Sequence, residues 1–387
     1  MAGLDMSRRT MLARGGAAVA GLSVLRLAGP AHAFGRQSGE EVIPWLDQPA
    51  DNPAPEVIVR QLEWEELDSW LTPPDQFFVI KHYNEPALDE RDWALEISGL
   101  VTTPMTLTLA DLQARARREV TCTLECSGNS GLPFLTGAVG NATWAGTSLA
   151  ALLEEAGVLE EGIEIVFWGA DAGEQTRGEV TITEQFARSM SLADAMDADN
   201  ILAFEMNGEE LPSLHGHPVR LIAPGWYGVA NVKWLTRIEV IDRRFQGHFM
   251  ARDYVTIREV ERDGESVWTF TSVTRDRLKS APAKVTRSGD QHRVMGAAWG
   301  APIAGVEVRI DDGDWQPATL TEGEGSQYAW VFWDFEWDAP EAGEHTVTSR
   351  ATGVTGDVQP APDDPFLAGK TSFYESNGHI TRRVRID

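Results

Sequence analysis

Hydrophobic positions between residues 77 and 260 come in short runs. Residues 77–80, 95–97, 163–168, 219–222 and 238–241 are dense in β-branched and aromatic side chains and read as strands. Two helical patterns lie among them. Residues 109–117 space their apolar positions three and four apart. Residues 148–156 do the same, with Thr147 or Ser148 as the capping hydroxyl. No βαβ unit recurs, and there is neither a GxGxxG dinucleotide fingerprint nor a phosphate-binding P-loop. A mixed α+β domain is expected here.

A basic stretch at 275–290 contains Arg275, Arg277, Lys279, Lys284 and Arg287. Beyond it the pattern turns all-β. Residues 305–310 alternate apolar and polar positions, and Asp311-Asp312-Gly313-Asp314 is a hairpin turn signal. Residues 329–337, 345–350 and 382–386 read as further strands. Some six or seven strands in about 105 residues predict an immunoglobulin-like sandwich. The chain has fourteen tryptophans against five tyrosines, and those in the sandwich form either its core or a subunit interface. Residues 34–75, rich in proline and acids, read as an extended arm wrapped on the domain. The expected organisation is an arm at 34–75, an α+β domain at 76–275 and a sandwich at 276–387.

The first 33 residues read as an export signal rather than a basic helix. Ser7-Arg8-Arg9-Thr10-Met11-Leu12 is a twin-arginine pattern, an apolar stretch covers 17–27, and Ala31-His32-Ala33 suits cleavage. That stretch is too short to span a bilayer, and no later charge-free segment is long enough. A periplasmic product is expected. The twin-arginine pathway moves folded proteins, often loaded with a cofactor. Removing the signal takes the formal charge from −26 to −29. Such acidity excludes nucleic acid as a partner. It suits a basic protein partner, or it only keeps the surface solvated.

Chemistry concentrates at the second of two cysteines. Residues 120–124 read as a strand, and positions four apart on a strand lie ~13 Å from each other. That is too far for a disulfide, although a turn at Glu125 would shorten it. Cys122 reads as a small core residue. Cys126 opens Cys-Ser-Gly-Asn, a turn of small residues that presents a thiolate and lets a bulky cofactor approach. Further on come Leu214-His215-Gly216-His217-Pro218-Val219-Arg220 and Asn231-Val232-Lys233-Trp234. Cations at strand ends beside glycine turns suit a phosphate-bearing cofactor.

With Phe77-Phe78-Val79-Ile80-Lys81-His82, Thr143-Trp144-Ala145-Gly146 and Ala203-Phe204-Glu205-Met206-Asn207-Gly208 these segments fall in one order. In that order the chain resembles the sulfite oxidase family of molybdenum enzymes, over residues 70–387. Its cysteine motif is similar to that of bacterial sulfite dehydrogenase catalytic subunits. The resemblance implies molybdenum with a single pyranopterin. Cys126 would be the thiolate ligand, and His82, Asp171, His215, Arg220 and Lys233 would hold the pterin and its phosphate. Asn231 and Val232 would help through their backbone, and Tyr254 would hydrogen-bond an oxygen near the metal. It also implies dimerisation through the sandwich. The implied reaction is sulfite to sulfate by oxygen-atom transfer. No Cys-x-x-Cys-His haem site occurs, so the acceptor is expected to be a separate c-type cytochrome.

The substrate side departs from the family pattern. Ile80 stands where an arginine is usual, with Lys81 beside it. Ser130 and Gly131 stand where animal members carry arginine, and Phe134 replaces a tryptophan. Oxyanions favour fixed guanidinium donors, so Lys81, His217, Arg252 and Lys370 are the candidate substitutes. One alternative keeps the cofactor and changes the substrate to a sulfoxide or another oxyanion, including use of the enzyme as a reductase. A more distant alternative is a secreted binding module built on the sandwich.

Overall fold

The computed structural model describes residues 39–323 and 325–387. The expected export segment, residues 1–33, and the start of the arm lie outside the described residues. The described residues form one unit. Strands dominate it, and the longest described helix, Leu149–Ala156, has eight residues.

That helix starts as its sequence dictates. The Ser148 side chain accepts from the Ala151 N–H, and Gly157 closes the C-terminus at φ +69°. Its apolar face, Leu149, Leu152, Leu153 and Ala156, is fully buried. The helix expected at 109–117 ends earlier, at Leu109–Gln113, after a Thr108/Asp111 capping box. Arg117 opens the strand Arg117–Glu125 instead, whose β-branched residues pair with Val139–Ser148. Cross-strand pairing overrides the weak helical pattern. Of residues 77–80 only Val79–Ile80 forms a strand.

Two sheets flank the first core. One runs Glu209–Glu210, Ile201–Met206, Val139–Ser148, Arg117–Glu125, with Arg220–Ile222 added to Ile201–Met206. The other runs Met105–Thr108, Ala94–Gly99, Leu235–Ile241, Glu164–Arg177, Val180–Ser191; Ala94–Gly99 and Leu235–Ile241 are parallel. Leu95, Ile97, Leu152, Ile165, Phe167, Leu202, Leu221 and Ile238 join them in one buried cluster.

The C-terminal residues form two further antiparallel sheets. One holds Lys279–Ser288, Gln291–Trp299, Val331–Trp337 and Thr319–Leu320, the other Ile303–Ile310, Gly343–Gly353 and Ile380–Ile386. Val285, Val294, Val331 and Trp333 from the first meet Val306, Val308, Val347 and Val384 from the second. Trp299, Trp330 and Trp333 are core residues of this chain, each fully buried. The basic stretch enters the first of these sheets. Lys279–Ser288 is a strand with Lys279 and Lys284 buried inside it. The arm joins both regions, pairing Glu41–Ile43 with Lys279–Ser288 and Ile58–Arg60 with Val79–Ile80. Among the described residues no helix is long and apolar enough to cross a membrane.

Candidate active site

The strand Arg117–Glu125 ends where the chemistry begins. Cys122, inside the strand, is fully buried and Cys126, just past its end, is half-buried; both are free thiols, so no disulfide forms. The Cys126 N–H donates to the Ala138 carbonyl at 2.8 Å, and the Cys126 carbonyl accepts from the Asn129 N–H at 2.9 Å. This closes a tight turn, and Ser130 follows at φ +62°. Burial pushes the Cys126 thiol up to about 11, so a thiolate here needs a cation beside it.

Cys126 lines one cavity together with His82, Asp171, His215, Arg220, Lys233 and Tyr254. Five chain segments far apart in sequence meet there. Val79–Ile80 delivers His82, whose Nε2 lies 2.6 Å from the Tyr254 Oη. Phe186 and Phe249 pack on the His82 ring. Burial, then the Lys233 charge, hold its imidazole down at about 3, so the ring is neutral at pH 7. His215 closes a short helical turn, and its Nε2 is 2.8 Å from the Pro74 carbonyl. Arg220 opens the strand Arg220–Ile222. Its guanidinium donates to the carbonyls of His215 at 2.8 Å and Asn231 at 3.0 Å. The Lys233 Nζ donates to the carbonyls of Ile80 and Leu214, each at 3.1 Å.

None of these cations has a carboxylate in hydrogen-bond contact. Burial therefore lowers Lys233 to about 7, Arg220 to about 9 and His215 to about 4. An anion placed among them would restore their charge. Asp171 is the complement. Its Oδ1 is buried without a partner, and burial raises the carboxyl to about 7 against the pull of Lys233. A Cβ at Gly169 would lie 2.3 Å from that oxygen, so glycine is required beside it.

The other expected site residues are placed differently. Asn231 does not line the cavity. Its Oδ1 accepts from the Ala223 N–H at 2.8 Å and its Nδ2 donates to Trp226 and Tyr227, so it orders the loop behind. Val232 is a core residue. The N–H groups of both are already bonded, to Gly228 and Ala230, which leaves no backbone donor for a ligand. Ile80 and Lys81 line the cavity. Phe134 packs in the apolar cluster that includes Cys126 and Ile80. Arg252 is exposed at the end of the helix His248–Ala251. His217 pairs with Glu210 at 3.2 Å, and the Lys370 Nζ donates to the Tyr374 carbonyl at 2.5 Å. Of the four candidate substitute cations, only Lys81 lines this cavity.

Two groups carry no sequence signal. Arg188 is fully buried, donating to the carbonyls of Phe249 and Val273, with its charge acting on Tyr254 and His82. Tyr374 stacks on Tyr254 at 4.9 Å, and Phe373 lies against Gly128. Both arrive from the C-terminal residues, and no local pattern marks them.

The family described as oxidoreductase molybdopterin binding domain matches residues 82–249. Sulfite oxidase of Gallus gallus is 31% identical over 321 residues, covering 76% of this chain and 69% of that protein. Mitochondrial sulfite oxidase of Drosophila melanogaster is 33% identical over 327 residues, and the match spans 76% of this chain but only 56% of the fly protein. The crystal structure of the sulfane dehydrogenase SoxCD from Paracoccus pantotrophus superposes with a TM-score of 0.72 at 27% identity, covering 94% of this chain and 96% of that one. The chain belongs to the sulfite oxidase family of molybdopterin oxidoreductases.

The donor set fits that family's cofactor. A thiol suits a soft-ligand metal, buried cations suit a phosphate, and the orphaned Asp171 oxygen suits an N–H of a pterin.

Proposed function

We propose that this protein oxidises sulfite to sulfate with a molybdenum–pterin cofactor and passes the electrons to an external c-type cytochrome. One observation carries the reading. The Cys126 thiol, the Tyr254–His82 pair and the His215, Arg220, Lys233 and Asp171 set line a single cavity. Cys126 would ligate the metal. Arg220, His215 and Lys233 would hold the phosphate, and Asp171 the pterin amine. The bound group would supply the oxygen-atom transfer and accept two electrons. Tyr254 and His82, joined at 2.6 Å, would hold the phenol hydroxyl in place beside the reacting atoms, because a nitrogen of the neutral ring can accept its hydrogen bond.

The twin-arginine segment supports export to the periplasm. The formal charge of −26 favours a basic acceptor. We assign homodimerisation to the C-terminal two-sheet region, read as an immunoglobulin-like module, on the family resemblance.

A second reading has an observation in its favour. Ile80, Phe78 and Leu124 line the cavity, and Phe134 joins Cys126 in the apolar cluster beside it. Such a wall suits a less charged sulfur substrate, and the superposed SoxCD is a sulfane dehydrogenase.

Metal analysis and stopped-flow absorbance separate these readings. Protein from a molybdate-fed host is expected to hold one molybdenum and to be reduced by millimolar sulfite. A centre that binds metal but is reduced only by a sulfane compound favours the second reading. Absence of molybdenum, or full turnover by Cys126→Ser, sinks both.

A further inference from the structure

The residue before Cys126 holds a charge in the interior. Glu125 is fully buried, and three donors converge on its carboxylate. Lys279 Nζ at 2.5 Å and Asn129 Nδ2 at 2.9 Å reach Oε1; Trp299 Nε1 at 2.9 Å reaches Oε2. The Lys279 side chain is 1% exposed and also donates to the Asn129 carbonyl at 3.3 Å. Lys279 and Trp299 are paired positions on two C-terminal strands. One rung of that sheet therefore grips both ends of the turn that carries Cys126. Asn129 adds the far side, its Oδ1 accepting from the Ala138 N–H at 3.0 Å.

Trp299 and Asn129 alone would orient the carboxylate. The lysine adds charge, and desolvating an ion pair is costly enough that a well-packed apolar pair would often be more stable. Its placement is informative for that reason. In a poorly screened interior, an uncompensated carboxylate one residue from Cys126 acts strongly on any charge at the sulfur.

We infer that Lys279 is a positioning residue of the metal centre, neutralising Glu125 so that the Cys126 turn keeps its shape and its ligand sees no net negative neighbour. The inference rests on Cys126 as the thiolate ligand. Without the lysine, negative charge beside the metal disfavours electron uptake and lowers its potential.

Potentiometric titration followed by EPR of the half-reduced metal tests this on Lys279→Met, Glu125→Gln and the double variant. Lys279→Met is expected to shift the midpoint down, Glu125→Gln to shift it up, and the double variant to return near wild type. Lys279→Arg, which keeps the charge, is expected to stay near wild type as well. Should Lys279→Met not fold, Glu125→Gln alone decides. Wild-type protein without molybdenum refutes the Cys126 reading and this inference with it. Molybdenum-loaded variants whose midpoints and EPR signals do not move refute this inference alone.

Discussion

Introducing an arginine at position 131, where the resemblance places one in animal members, is expected to fail for a steric reason. A Cβ added to Gly131 would lie 2.0 Å from the Phe373 carbonyl oxygen, and 3.0 Å from its carbon and from the Ser376 Oγ. Ordinary contact needs the oxygen to retreat by ~1.4 Å. The segment has little room to move. The Glu375 N–H donates to the Ser127 carbonyl at 2.7 Å, the Tyr374 carbonyl accepts from Lys370 at 2.5 Å, and Tyr374 stacks on Tyr254. Overpacking costs ~1–3 kcal/mol, and losing one of these hydrogen bonds adds ~1 kcal/mol. Gly131→Arg should therefore cost ~2–4 kcal/mol, or ~4–8 °C in Tm at ~2 °C per kcal/mol. Gly131→Ala should show most of that loss without the new charge. Calorimetry gives the Tm, and sulfite kinetics give KM. A Gly131→Arg protein with wild-type Tm and a lower sulfite KM would refute the claim that the Phe373 backbone closes this side of the site.

Three further outcomes are expected. Tyr254→Phe removes the partner of His82 and should slow reduction of the centre ~5–150-fold, the equivalent of ~1–3 kcal/mol; an unchanged stopped-flow rate takes the pair out of the chemistry. Asp171 titrates near 7 when folded but at 3.8 ordinarily, so the folded chain holds a proton that the unfolded chain has lost between those values. Stability of the cofactor-free protein should contain a contribution that falls as pH rises from ~4 to ~7, and Asp171→Asn should lack it in urea denaturation; parallel pH profiles contradict the assignment. Trp333→Ala empties a fully buried site between the two C-terminal sheets and should cost ~3–5 kcal/mol, with metal content retained; a loss under 1 kcal/mol by chemical denaturation would contradict its core role.

Local pattern alone located strands such as Ala94–Gly99, Leu235–Ile241 and Val331–Trp337 and the helix Leu149–Ala156, because alternation and capping act within a few residues, but it passed over Val139–Ser148, Val180–Ser191 and Gln291–Trp299. It also separated Cys122 from Cys126, since a core position for one inside the strand and a turn position for the other follow from strand spacing and small residues. The ordered motifs named the residues that line the cavity, from His82 to Tyr254. Pattern could not stop the helix at Gln113, where pairing with Val139–Ser148 outweighs propensity. Nor could it show that two lysines of the basic stretch are buried, because a charge run carries no sign of burial until Glu125 and Asp68 are seen beside Lys279 and Lys284.

The sequence by itself determined the family, the cysteine that lines the cavity and the cations around it, since those are properties of residue type and order. Tertiary structure alone decided what closes the site. Arg188, Phe373, Tyr374 and Lys279 reach it through contacts spanning up to some 250 residues of chain, and such contacts leave no local periodicity to read.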